Sequence, residues 1–369
     1  MPPAEIRILT INPGSTSTKL AVYANQRQEW VRCLTHSETE MEPFRGLPVL
    51  EQLEFRRARI EAELSDAGYA LKSFDAIAAR GGLMRPIASG TYRVNKAMLT
   101  DLRLAEQGEH ASNLGAFLAQ SLARLGHAQA FVVDPVSVDE FTPKVRISGT
   151  ALAERHSLSH ALNTKAVAKR YARDRGTLYA DLRLVIAHLG SGISVSAHEG
   201  GRMVDVNLAG QEGPMSTERS GGMQWISVVQ LCFSGRYTAD GVYNALFREG
   251  GIYSYLGTKD LREVERRIAQ GDARAALIFD AMVYQVAKEI GAMAAALNGR
   301  VDAILITGGM ARSGKLLADL RAAIQWIAPV VVYPGEDELQ ALAEGALRVL
   351  RGEEEARELP EIDRVLQTC

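Results

Sequence analysis

Several short stretches of this chain bring together residue types that handle phosphate. Asn12-Pro13-Gly14 is followed by Ser15, Thr16, Ser17 and Thr18, and then by Lys19. A glycine lets backbone approach an anion, the hydroxyls add donors to the backbone N–H groups, and the lysine supplies a compact positive charge. The GxxxxGK[ST] order is absent and the following residues read as a strand, so this is not a Walker loop. Leu189-Gly190-Ser191-Gly192, directly after His188, is a second small-residue turn, and Thr307-Gly308-Gly309 is a third. One such turn after a strand usually means only a turn. Arg219, in Thr217-Glu218-Arg219-Ser220-Gly221-Gly222, carries a planar fork that can bridge a carboxylate and a phosphoryl group, or simply tether its loop. Arg80 stands between an apolar run and Gly81-Gly82, where a structural arginine is unusual. Asp134, before Pro135, is either a site carboxylate or a turn residue.

Composition narrows what these residues can serve. At 369 residues the chain has room for two domains of ordinary size. Its net charge of −2, with both signs interspersed, gives no case for a nucleic-acid or membrane partner. Cys33, Cys232 and Cys369 lie far apart without CxxC spacing, which argues against a disulfide framework or a zinc site and fits a reducing cytosol. Glu5 sits among the first residues and a strand begins almost at once, which does not fit a signal peptide. Residues 275–297 contain Asp280, Lys288 and Glu289, so this apolar stretch reads as a buried helix and not a membrane span. The expectation is a cytoplasmic globular protein.

The elements that must position the candidates follow from pattern. Strands are expected over residues 6–11 and 20–23, as a tight hairpin, and over 29–36. A helix over 47–67 ends at Gly68, a buried strand runs over 74–79, Asn95 caps a helix carrying Met98 and Leu102, and another helix covers 112–125. A strand over 130–133 ends at Asp134-Pro135, and the polar segment 136–150 reads as the approach to a domain boundary. The second half repeats this plan, with strands over 182–188, 193–197 and 203–206 around the Leu189–Gly192 turn. Helices near 224–232, 260–270 and 272–298 come next, then a strand over 329–333. A last helix near 336–352 can pack back on the first half, and an acidic tail, 353–369, is expected to be loosely held. FDAIAARGG (74–82) and VDAILITGG (301–309) share Asp-Ala-Ile and Gly-Gly at equal offsets. These echoes predict a duplicated α/β fold, with domains 1–155 and 156–335 and a ligand in the cleft between the halves.

A duplicated strand–loop–strand pair with a later glycine turn resembles the actin, Hsp70 and sugar-kinase superfamily, with its duplicated, ribonuclease H-like two-domain fold that grips ATP. INPGSTSTK (11–19), GEHASNLGA (108–116), AHLGSGISV (187–195), ERSGG (218–222), LITGG (305–309) and YPGEDE (333–338) resemble, within it, the acetate and butyrate kinase family, and its butyrate branch above all. The resemblance covers about residues 6–352. It implies reversible, Mg²⁺-dependent transfer of phosphate from ATP to a short-chain fatty acid such as butyrate or isobutyrate, by in-line attack, giving an acyl phosphate, in a homodimer or larger homo-oligomer.

The resemblance also implies roles. ATP would meet Asn12, Gly14, Ser15, Thr16, Ser17 and Lys19 on one hairpin, Gly190, Ser191 and Gly192 on the other, and Asp260, Arg262, Gly308 and Gly309. Arg219 matches the family's essential arginine, and His188 is expected to donate to the transferred phosphoryl group. Asp134 orients or activates the acceptor or the metal, and Arg80 and His160 complete the catalytic set. His110, Asn113 and Arg80 would shape the acyl site, while Glu338, with Asn12, would serve the metal. The run Glu336-Asp337-Glu338 leaves that register open, since a helix N-terminus also favours acids, as it does at Asp260. One methylene in an apolar pocket is worth only about 1–3 kcal/mol, so chain-length preference should be broad. Acetate or propionate kinase is the enzyme alternative, and a non-catalytic nucleotide sensor on the same fold is the alternative from another class. A sugar kinase is weaker, because no polar cluster suits a hydroxyl-reading site.

Overall fold

The structure is a computed structural model, described here for residues 5–361; Cys369 and the end of the acidic tail lie outside them. It divides into two compact units: one runs to Val138 and resumes at Asp337, and the other is Asp139–Glu336.

In the first unit, β1 (Arg7–Pro13), β2 (Ser17–Ala24), β3 (Arg27–Thr35), β4 (Ala76–Arg80), β5 (Thr91–Arg93) and β6 (Gln129–Val133) form one sheet in the order β3-β2-β1-β4-β6-β5. In the second, β7 (Leu184–Leu189), β8 (Ile193–Glu199), β9 (Arg202–Val206), β10 (Ala303–Gly308) and β11 (Val330–Pro334) form a sheet in the order β11-β10-β7-β8-β9. Read from β9, this is the same succession. β1 and β7 each pair antiparallel with the next strand and parallel with β4 or β10. The expected duplication of an α/β plan is present in five strands of each sheet, β5 being an additional edge strand of the first. The shared Asp-Ala-Ile has a shared cause, because Asp75 Oδ2 accepts the Arg7 N–H at 2.7 Å and Asp302 Oδ2 accepts the Arg183 N–H at 2.6 Å. Each aspartate thus pins the start of its unit's central strand.

Both sheets are covered on two faces, which is why their central strands read as unbroken apolar runs. Leu9, Ile11, Leu20 and Val22 pack against Ile60 and Leu64 of helix Leu53–Asp66 and Leu114, Leu118 and Leu122 of helix Leu114–Gly126. Ala21 and Tyr23 on the other face meet Ala343 of helix Glu338–Leu350. In β7, Val185, Ala187 and Leu189 face helix Ala273–Ala296, while Leu184 and Ile186 face Val167 and Tyr171 of helix Ala161–Asp174. No helix among the described residues is long and apolar enough to cross a membrane.

Two expectations are corrected. The division falls after Val138 and not at 155, because the carboxylates just beyond it are committed to the second unit: Asp139 accepts the Ser157 N–H, and Glu140 takes the buried Lys165 and the Met203 N–H. Residues 353–361 are not loose. Glu354 bridges Arg348 and the Thr91 N–H, Arg357 exchanges backbone bonds with β5, and Leu359 is buried. Strand β5 and helices Ala161–Asp174, Ala239–Phe247, Gly251–Leu256 and Gly314–Ile324 were not expected from pattern.

Candidate active site

The first unit gathers its candidates at the ends of β1 and β4 and at the start of the last helix. The Pro13–Thr18 pair closes the β1–β2 hairpin, next to Asn12–Lys19, and Gly14 N–H donates to the Ser17 carbonyl at 2.8 Å. Ser15, Thr16 and Lys19 are exposed at the tip, whereas Asn12 and Thr18 are buried. Asn12 Nδ2 donates to Glu338 Oε2, and Arg80 Nη1 lies 3.5 Å from the same oxygen. Of the three consecutive acids, Glu338 alone is buried and faces these side chains; Asp337 is exposed in the left-handed region, and Glu336 belongs to the second unit.

Asp134 is buried, also with positive φ (37°), and its Oδ1 accepts from Ser89 Oγ at 2.6 Å and the Gly90 N–H at 2.8 Å. A non-glycine residue held there carries strain of order 1–3 kcal/mol, the kind that collects at functional positions. Asn113 directly precedes helix Leu114–Gly126. Its amide is fully buried, accepting the Leu83 N–H at 2.9 Å and donating to the Gly108 carbonyl at 3.2 Å, so it braces the turn after Arg80. His110 is exposed, and its Nδ1 accepts the Ser112 N–H.

In the second unit the candidates converge on the β7–β8 hairpin. His188, at the end of β7, is almost fully buried, and its ring stacks on His160 with centroids 3.9 Å apart and planes 9° from parallel. His188 Nδ1 lies 2.7 Å from Asn163 Oδ1, and Asn163 Nδ2 donates to the Glu336 carbonyl at 2.6 Å. That carbonyl can only accept, so the amide orientation is set and Asn163 Oδ1 receives the His188 Nδ1–H. The other nitrogen, Nε2, is directed at the hairpin tip: a Cβ on Gly190 would lie 3.1 Å from it. His160 Nδ1 is 2.8 Å from Ser194 Oγ on β8.

Arg219 reaches the same tip from the loop before helix Trp225–Cys232. Its guanidinium lies over the Phe247 ring at 4.3 Å, Nη1 donates to the Ala209 carbonyl at 3.1 Å, and Nε is buried with no hydrogen-bond partner. A Cβ on Gly192 would sit 2.5 Å from Nη1, so glycine is what lets the arginine lie against the hairpin. Burial pulls the guanidinium below the ordinary arginine value, with Glu218 and Tyr243 opposing that shift. Ser216 ties the parts together, its Oγ donating to the Ser191 carbonyl and accepting the Arg219 N–H at 3.1 Å.

The third turn is built by β10. Gly308 has φ +92° and exchanges backbone bonds with Gly335, and Thr307 Oγ1 donates to the Gly335 carbonyl at 3.0 Å. Asp260 and Arg262 are not brought into this cluster by any described hydrogen bond. Asp260 caps helix Leu261–Ala269 and pairs with exposed Arg262 at 2.7 Å, which is helix-start chemistry.

Three contributors carry no motif. Arg56 is fully buried beneath the first hairpin, and Asn163 and Ser216 hold His188 and Arg219. Among the described residues, no group of three or more His, Cys, Asp or Glu side chains is arranged to hold a metal ion.

The sequence profile of the acetokinase family matches residues 152–325. Butyrate kinase 2 of Clostridium acetobutylicum is 47% identical over 355 residues, covering 96% of this chain and 99% of the relative. Among solved structures, the acetate kinase of Porphyromonas gingivalis superposes with a TM-score of 0.76 at 19% identity, covering 92% of this chain and 99% of that one. A propionate kinase from Francisella tularensis gives a TM-score of 0.70 at 17% identity, with 92% and 99% covered.

Proposed function

The chain belongs to the acetokinase family, and from that premise we propose that it transfers the γ-phosphoryl group of ATP to butyrate or a related short-chain carboxylate. One carboxylate oxygen attacks phosphorus in line, the bond to the ADP oxygen breaks, and the products are the acyl phosphate and ADP; the step is reversible. The observation that carries this reading is the convergence of Arg219 and His188 on one glycine hairpin, with Ser216 locking the arginine loop to its tip.

The chemistry explains the residue types. A short-chain acid is already ionised at neutral pH, like a glutamate side chain, so the nucleophile has no proton to lose. The difficulty is bringing one anion to another, which calls for cations and aimed donors around the phosphoryl oxygens. Arg219 fits that demand as a desolvated fork. With Nδ1–H committed to Asn163, His188 Nε2 donates only when the ring carries its second proton, and a phosphoryl group beside it favours that form. Ser15, Thr16, Ser17 and Lys19 suit the phosphate chain, and Gly308 and Gly309 the adenosine, by family resemblance. Asp134, already accepting two donors, suits an orienting role.

Magnesium normally keeps several waters and takes one or two carboxylates besides phosphate oxygens. The buried Glu338 carboxylate, with Asn12 beside it, fits that pattern and would hold Mg²⁺. The ion would neutralise charge on the nucleotide's phosphate oxygens. Exposed Trp225, Ile226 and Phe233 support assembly as a homodimer or larger, and the cysteine pattern supports a cytoplasmic setting. Butyrate kinase 2 as the relative at 47% identity favours butyrate over acetate or propionate.

The test is Arg219→Ala with ATP and butyrate. Nucleotide affinity should stay within about threefold while the transfer rate falls about 10²–10³-fold, the usual weight of one aimed donor. A transfer rate within a few-fold of the parent would remove Arg219 from the mechanism, and no transfer by a parent that still binds ATP would favour the sensor reading.

A further inference from the structure

We propose that Arg56 is the buried cation that aims the first hairpin at the nucleotide's phosphates, and that its counter-ion is the bound phosphate itself. This inference rests on reading the Asn12–Lys19 hairpin as a phosphate loop.

Arg56 lies on helix Leu53–Asp66 with no exposed surface. Its Nη1 donates to the Gly14 carbonyl at 2.9 Å, the Ser17 carbonyl at 3.2 Å and Thr18 Oγ1 at 3.1 Å. Nη2 donates to the Ser15 carbonyl at 3.0 Å and Gln52 Oε1 at 2.9 Å, and Nε to the same Gln52 oxygen at 3.0 Å. Every one of these acceptors is neutral, and no carboxylate pairs with it among the described residues. Burial draws its pKa down to about 10, which leaves it charged at neutral pH. Buried charges are ordinarily paired, because an isolated one loses hydration without compensation.

The bonding pattern says where the compensation comes from. A peptide plane points its C=O and the following N–H in opposite directions. Drawing the Gly14 and Ser15 carbonyls onto the guanidinium therefore turns the Ser15 and Thr16 N–H groups away from it. Ser15 and Thr16 are themselves exposed. The result is two successive N–H donors backed by a positive charge one peptide layer behind, an arrangement suited to an anion. Arg56 touches no substrate atom; it is a positioning residue whose charge is balanced when phosphate arrives.

Gln52→Glu tests this with little change of shape. Gln52 Oε1 already accepts from both Nε and Nη2, so a glutamate there makes a bidentate pair and gives Arg56 a permanent counter-ion. The free full-length protein should melt at a higher temperature. Its affinity for ATP and ADP should fall roughly tenfold, the weight of about one screened charge, while adenosine affinity stays unchanged. Lys19→Ala, measured beside it, reports on the hairpin reading and should also weaken ATP but not adenosine. If Lys19→Ala weakens ATP and Gln52→Glu does not, Arg56 is only a prop and the inference fails. If Gln52→Glu weakens ATP and adenosine alike, the damage is general and the inference fails too. Should the parent bind ATP and adenosine equally, or Lys19→Ala leave their ratio intact, the hairpin is not the phosphate loop and both readings fall.

Discussion

Replacing Asn163 by alanine should disable His188 without touching it. Asn163 receives the His188 Nδ1–H at 2.7 Å and holds the Glu336 carbonyl at 2.6 Å, and both contacts are lost together. Leaving two buried polar groups unpaired costs about 1–3 kcal/mol each where water cannot replace the amide. The protein should therefore lose about 2–6 kcal/mol of stability in urea unfolding. In activity, removing one aimed donor outright costs about 10²–10³-fold. Asn163→Ala frees the ring's tautomer and orientation without deleting it, so kcat should fall less, about 10- to 100-fold, with the ATP KM little changed. Asn163→Asp adds a sign. A carboxylate beside Nδ1–H favours the charged ring, so His188 keeps its second proton to higher pH. If His188 acts as an imidazolium donor, the alkaline limb of kcat moves upward in this variant. Nitrogen-15 shifts of the ring, assigned by comparison with His188→Gln, report the same change independently. An Asn163→Ala protein with kcat within twofold of the parent, or an Asn163→Asp protein with an unmoved pH profile, would refute the reasoning.

Two further outcomes follow from the same geometry. His36 is buried beneath the first hairpin with Nε2 3.0 Å from Thr18 Oγ1; burial first, then Arg56 and Arg59, with Glu40 opposing, bring its pKa from 6.5 to about 4. The fold refuses a proton that the unfolded chain accepts, so this contribution is whole above pH 6.5 and is lost as pH falls towards 4. At pH 5 the loss is about 2 kcal/mol at most, and His36→Gln should lower the stability difference between pH 7.5 and pH 5 by that amount in urea titrations; equal differences would contradict it. Gly192→Ala places a Cβ 2.5 Å from Arg219 Nη1, so kcat should drop at least tenfold while far-ultraviolet circular dichroism stays unchanged. Full activity there would mean that the arginine does not work from this position.

The parts of this protein that were legible in the sequence are those whose cause is local. The two hairpins announce themselves because a small-residue turn between apolar runs has few other uses, and the Asp75 and Asp302 echoes repeat because each fixes the neighbouring strand in the same way. Arg56 left no local trace. It reaches the hairpin across a separation of 42 residues, from a helix where an arginine normally faces water. Asn163 is similar: it opens a helix that has no side-chain cap, and its meaning lies in His188, 25 residues away. The division after Val138 falls inside the polar segment 136–150, but its place there was hidden because its signal is the partner choice of Asp139 and Glu140. The bracing role of Asn113 was invisible too, since a family motif does not show which backbone groups an amide holds.

The central claim is carboxylate phosphorylation, and it is tested most directly by trapping the product. The full-length protein is incubated with ATP, Mg²⁺ and hydroxylamine and with each straight and branched acid from acetate to valerate, and acyl hydroxamate is measured. Formation that peaks at butyrate or isobutyrate, with a gradual fall on either side, is the predicted result. A peak at acetate would keep the chemistry and overturn the substrate. No hydroxamate with any acid, from protein that still binds ATP, would contradict the account.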